Sequence, residues 1–231
     1  MQESSTNKTH AKSNLSFMKH IIFYFDFISP YAYLAFERLP LALQGLSYQV
    51  TYKPVLFAGM LNYYGQLGPA EIAPKRTWTY RQMQWLAREN AVPLHAPASH
   101  PFNPISLLRL ALACGADGAC NRYVTETIFR HVWASGQEAG DPARLAALTA
   151  QLKPQRAMND DTVKLQLKAN TDAAIAAGVF GVPSMQVDDD VLWGLDALPM
   201  LRQRLMDDPW FSQSDWHNAS GLPVGTRRKS T

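Results

Sequence analysis

Three short segments of this chain hold residue types that could do chemistry. The first is Asp26-Phe27-Ile28-Ser29-Pro30-Tyr31. It puts the Ser29 hydroxyl at the carboxyl end of a strand and the amino end of a helix. Free backbone N–H groups and the helix dipole make that point favourable for an anion. The same serine could simply cap its own helix. The second is Gly178-Val179-Phe180-Gly181-Val182-Pro183-Ser184. A Val-Pro pair before a strand is either an ordinary loop or a cis-proline loop. In the second case the Val182 N–H and C=O are left for strand-like pairing with a bound peptide. The third is Trp193-Gly194-Leu195-Asp196, ahead of the last helix. Asp196 either caps that helix or receives an ammonium group.

These segments need a frame. Residues 20–27 are dense in aromatic and β-branched side chains, which marks a buried strand. Ser29-Pro30 opens a helix that should reach about Gln44, with Pro40 kinking or breaking it near its end and Gly45 stopping it. Residues 47–55 alternate as a second strand, and a β-α-β start favours a parallel pair. Segments 74–90, 104–113, 121–135, 142–151 and 160–177 read as helices separated by Pro and Gly clusters. Strand character returns at 183–187 and 191–193, around an Asp-Asp-Asp turn, and a helix at 198–206 closes the fold. The expected architecture is α/β: a four-stranded sheet with a large all-helical insertion. The expected division is a disordered arm (1–18), a β-α-β part (19–69), the helical insertion (70–177), a β-β-α part (178–212) and a C-terminal tail (213–231).

The whole-chain balance narrows the function classes. The chain has 231 residues, and 22 basic against 19 acidic side chains leave a net charge of only +3. Such a small excess speaks against a dedicated nucleic-acid binder. No apolar run approaches the roughly 20 residues a membrane span needs, and the first 19 residues have no apolar signal core. A cytoplasmic protein is expected. Cys114 and Cys120 are six residues apart, neither a redox pair nor a zinc pair, and read as core fillers. His95, His100 and His131 show no metal-ligand spacing, so no metal is expected. Tyr63, Tyr64, Trp78, Tyr80 and Trp85 read either as core or as the lining of an apolar pocket.

Taken together, the three segments and their order resemble the thioredoxin-like fold of the DsbA type. More narrowly, Phe25 to Leu34 resembles the signature of 2-hydroxychromene-2-carboxylate isomerases and kappa-class glutathione transferases. Val179 to Ser184 and Trp193 to Asp196 resemble the same family's two later motifs. The resemblance runs from about residue 20 to 210 and is loose in the helical block. It implies glutathione as cofactor. Ser29 would hydrogen-bond the glutathione sulfur, where a hydroxyl donor and a helix N-terminus favour thiolate over thiol. Val182, next to Pro183, would pair its backbone with the cysteinyl residue. Asp196 would receive the γ-glutamyl ammonium, with Trp193, Gly194 and Leu195 lining that end.

The chain departs from the family pattern in two places. Leu195 stands where Asn or Ser is usual, which removes one polar contact to the γ-glutamyl carboxylate. In the loop after the second strand, Leu61 and Gln66 stand near the positions of a substrate-side lysine and asparagine. Lys75 and Arg76 would supply a basic group instead, or lie on a solvated helix start. Asn103 faces the substrate or caps the next helix. The resemblance implies an isomerase acting on a small aromatic or bicyclic carboxylate, and suggests a homodimer. A kappa-like transferase or peroxidase is the alternative. A thiol-disulfide oxidoreductase is disfavoured, because Ser29-Pro30-Tyr31-Ala32 holds no cysteine. A non-enzymatic peptide-binding member would keep the Val182-Pro183 loop without glutathione affinity.

Overall fold

A computed structural model describes residues 18–226. Most of the expected N-terminal arm (1–17) and the end of the expected tail (227–231) lie outside the described residues. Strand β1 (Lys19–Phe25) leads into helix α1 (Pro30–Ala42), strand β2 (Tyr48–Pro54) and helix α2 (Phe57–Tyr64). Helices α3 (Ala73–Glu89), α4 (Ile105–Cys114), α5 (Arg122–Trp133), α6 (Pro142–Leu152) and α7 (Asp161–Ala176) follow. Strands β3 (Ser184–Val187) and β4 (Asp190–Trp193), then helices α8 (Leu198–Leu205) and α9 (Ser214–Asn218), complete the order. The sheet order is β2-β1-β3-β4. β1 and β2 are parallel, with Lys19 opposite Tyr48 and Phe25 opposite Pro54, while β3 is antiparallel to both β1 and β4. This is the thioredoxin-like α/β sheet with a helical insertion.

The aromatic density of β1 finds its reason in the core. Phe23, Phe25 and Phe27 are fully buried. Phe129 of α5 packs between them and α1, its ring 4.9 Å from Phe27 and 5.4 Å from both Phe25 and Phe36. Each such side chain contributes roughly 1.5–3 kcal/mol by leaving water. The insertion is therefore packed into the same core as the sheet and α1.

Three expectations are corrected. α1 runs through Pro40 to Ala42. A proline so near the end removes only one of the last hydrogen bonds, and the Arg202 guanidinium donates to the carbonyls of Ala42 and Gln44 at 3.0 and 2.9 Å. The stretch expected as a loop after β2 contains α2. Its first N–H groups are satisfied from afar: Leu56 N–H donates to Thr171 Oγ1 (3.0 Å) and Phe57 N–H to Asp26 Oδ2 (2.9 Å). No local capping residue announces it. The segment expected as a tail from 213 begins with α9, whose Trp216 lies 5.2 Å from the Phe211 ring and donates to Asp190 Oδ1 at 3.0 Å.

Candidate active site

The loop from Asp26 to Ser29 joins β1 to α1, and its backbone is held at successive peptide groups. The Trp133 indole donates to Phe27 O at 2.8 Å. Ile28 N–H donates to Asp26 Oδ1 at 3.1 Å, and Ser29 N–H to Asp26 O at 3.1 Å. Ile28 O accepts from His100 Nε2 at 2.8 Å. Ser29, which is buried, caps α1 by accepting from Ala32 N–H at 3.1 Å, and its hydroxyl donates to Val182 O at 3.3 Å. The serine thus serves as N-cap and still faces the Val182-Pro183 loop. That peptide bond is cis. The Val182 N–H has no acceptor among the described residues.

These groups open on a cleft of about 1620 Å³. That exceeds a typical small-molecule pocket and leaves room for more than one small ligand. Asp196 lines it, is exposed, and forms no hydrogen bond or ion pair with another described residue. The helix-cap role open to it in the sequence is therefore not the one it plays: the caps around it are Gly194 and Ala197. Gly194 is left-handed (φ 102°), and a Cβ there would run into the Asp196 carboxylate. Trp193 leans over Gly181, where a Cβ would meet its indole nitrogen at 2.6 Å, and its ring lies 5.0 Å from Phe180. Leu195 lines the cleft and packs on the core.

Gln66, Lys75 and Asn103 also line the cleft and are exposed. Asn103 Oδ1 accepts from Ile105 N–H at 3.0 Å, so it serves the start of α4 as well. Lys75 has no ion-pair partner among the described residues. Arg76 does not line the cleft; its charge acts instead on Tyr80. Of the aromatic set, Tyr63, Trp78 and Trp85 are exposed rather than core, and Trp78 lines the cleft.

Two residues of this site receive no role from the sequence, although Asp26 heads the first segment and His100 is among the histidines weighed as metal ligands. Asp26 is completely buried, and burial pushes its carboxyl up to about 7, against the pull of the Phe57, Ile28 and Phe27 N–H groups. His100 comes from the linker between α3 and α4, and burial lowers its imidazole below the ordinary range. A buried strand-end carboxylate and a lone loop histidine have no periodic pattern that would single them out.

The DSBA-like thioredoxin domain family matches residues 20–206. A 2-hydroxychromene-2-carboxylate isomerase of Sphingobium xenophagum is 32% identical over 82% of this chain and 99% of that protein. A protein named glutathione S-transferase kappa 2, from Caenorhabditis elegans, is 25% identical over 82% of this chain and 90% of its own. A solved structure of a 2-hydroxychromene-2-carboxylate isomerase superposes with a TM-score of 0.72 at 26% identity, covering 84% of this chain and all of that one.

Proposed function

The chain belongs to the DSBA-like thioredoxin family, in the branch of 2-hydroxychromene-2-carboxylate isomerases and kappa-class glutathione transferases, and from that premise we propose that it is a glutathione-dependent isomerase of 2-hydroxychromene-2-carboxylate type. One observation carries the reading: the Ser29 hydroxyl, at the N-terminus of α1, faces the Val182 backbone in the cleft that also holds the unpaired Asp196. That set suits a γ-glutamyl tripeptide. Asp196 receives the ammonium group, Val182 offers a backbone N–H and C=O to the cysteinyl residue, and Ser29 donates to sulfur. Trp193, Gly194, Leu195 and Pro183 shape the walls.

Bound glutathione would supply a thiolate for reversible addition to a conjugated double bond, the chemistry that exchanges one geometric isomer for the other. The chain's own part is electrostatic. The helix N-terminus and the Ser29 donor hold negative charge at the sulfur position. Lys75 provides a cation for the substrate carboxylate, and Gln66 and Asn103 provide polar contacts. The apolar stretch with Leu61 and Trp78 accepts the aromatic part. With this reading go a place in aromatic-compound catabolism and a cytoplasmic homodimer. Neither cysteine lines the cleft, and burial pushes the Cys120 thiol up to about 12, which supports no disulfide exchange.

The test is turnover of 2-hydroxychromene-2-carboxylate with glutathione far below the substrate concentration. Complete conversion to the isomer, with glutathione recovered, is the expected result. A stable conjugate that consumes glutathione would make the chain a kappa-like transferase. No glutathione binding in a calorimetric titration would end both readings.

A further inference from the structure

The imidazole of His100 lines the cleft, yet it has no free nitrogen. Nε2 lies 2.8 Å from Ile28 O. A carbonyl has no proton to give, so Nε2 carries the hydrogen and donates. Nδ1 is then an acceptor, and the single hydrogen of the Tyr80 hydroxyl, 2.8 Å from both Nδ1 and His100 O, is shared between the two. Ile28 O thereby sets the tautomer, and Tyr80 steadies the ring from its other side. The rings of Trp133 and Phe102 flank it at 5.4 and 6.0 Å. Burial lowers its imidazole below the ordinary range, which favours the neutral form. With both nitrogens engaged, His100 is not set up to take a proton from a substrate.

We propose that His100 is a positioning residue for Ser29: it fixes the peptide that joins Ile28 to Ser29, and with it the direction of the Ser29 hydroxyl. The grip on that loop is two-sided. Asp26 holds the Ile28 N–H and His100 holds the Ile28 C=O. Rotation of the Ile28–Ser29 peptide would swing the Ser29 Cα–Cβ bond, and so both the Ala32 cap and the contact to Val182. Trp133 anchors the preceding carbonyl, but among the described residues only His100 and Asp26 hydrogen-bond to the Ile28 backbone through their side chains. The histidine comes from the helical insertion and the serine from the β1–α1 loop, so this contact ties the insertion to the site.

The consequence for catalysis rests on the glutathione reading of Ser29, whereas the geometry does not, and the experiment separates the two. Amide hydrogen exchange at Ala32 in the glutathione-free protein reads the Ser29 cap directly. In His100→Phe this exchange should quicken about tenfold, the worth of one buried hydrogen bond, while the amide of Leu39, in the last turn of α1, stays unchanged. His100→Gln places an amide donor near the Nε2 position and should recover most of the protection. With glutathione present, the ultraviolet thiolate titration should move to higher pH in His100→Phe and return in His100→Gln, with kcat falling more than KM changes. A folded His100→Phe protein with wild-type exchange at Ala32 overturns the proposal. If that variant does not fold, Tyr80→Phe decides, because it keeps the imidazole and removes only the hydroxyl that steadies it: Ala32 exchange should quicken about threefold, and no change overturns the proposal. If the wild type itself shows no thiolate signal, the glutathione reading fails, and the exchange data still decide the role of His100.

Discussion

Replacing Ser29 by alanine removes two separable things, and the structure allows each to be sized. The first is the N-cap bond from Ala32 N–H at 3.1 Å. Losing a serine cap costs about 1 kcal/mol. Against a total stability of roughly 5–15 kcal/mol the chain stays folded, with a melting temperature lower by about 2–4 °C. The second is the hydroxyl donor. It rests on Val182 O at 3.3 Å, a long contact that a thiolate can replace. A hydrogen bond to a charged group contributes roughly 1.5–3 kcal/mol, which raises the bound thiol pKa by about one to two when it is lost. Below that pKa the thiolate fraction falls about tenfold or more, and turnover should fall with it. The assay is the ultraviolet absorbance of the bound thiolate against pH in wild type and Ser29→Ala, with thermal melting as control. Coincident titrations from two folded proteins would refute the catalytic role and leave Ser29 a cap. Ser29→Thr keeps the hydroxyl and should keep most of the thiolate.

Asp26 should make stability fall with rising pH. Its carboxyl stands at about 7 in the folded chain against an ordinary 3.8, so the native state holds a proton that the unfolded state has released. The stabilisation is complete below the ordinary value and is lost as pH rises through about 7, up to about 4 kcal/mol in all. Denaturant unfolding from pH 4 to 8 checks it, and Asp26→Asn should flatten the curve. Asp196→Ala should weaken glutathione binding about ten- to a hundredfold by calorimetry, whereas Leu195→Asn should strengthen it by restoring a polar contact to the γ-glutamyl carboxylate. Lys75→Ala should raise KM for the carboxylate substrate about tenfold, and Arg76→Ala should leave it unchanged, because only Lys75 lines the cleft. Steady-state kinetics on the two variants distinguishes them.

Much of this fold is local in origin and could be read before the structure. The strand and helix signals around Ser29-Pro30 lie within a dozen residues, and so do the Gly-Val-Pro and Trp-Gly-Leu-Asp turns. The β-α-β start and the five helices of the insertion fall within a few residues of their expected limits. What escaped is held by partners distant in sequence. α2 is capped by Asp26, 31 residues earlier, and by Thr171, 115 residues later. α9 is held through Trp216 against Asp190, 26 residues away. Pro40 looked like a helix breaker because nothing near it announces the Arg202 contact 160 residues on. The same limit applies at the site. Lys75 and Arg76 are equivalent as adjacent basic residues, and only the rotation of α3 puts one of them in the cleft.

The loose part of the family resemblance is therefore not a free spacer. None of the three motifs lies in residues 70–177, yet Trp133 and His100 from that block hold the carbonyls of Phe27 and Ile28, the two peptides leading to Ser29. Phe129 from the same block fills the space under that loop. A backbone carbonyl accepts from any well-placed N–H, so indole and imidazole donors can be exchanged for others without altering what they grip. The constraint falls on the donor's position rather than on its identity, and that is why the three motifs stand out from the sequence while their supports do not.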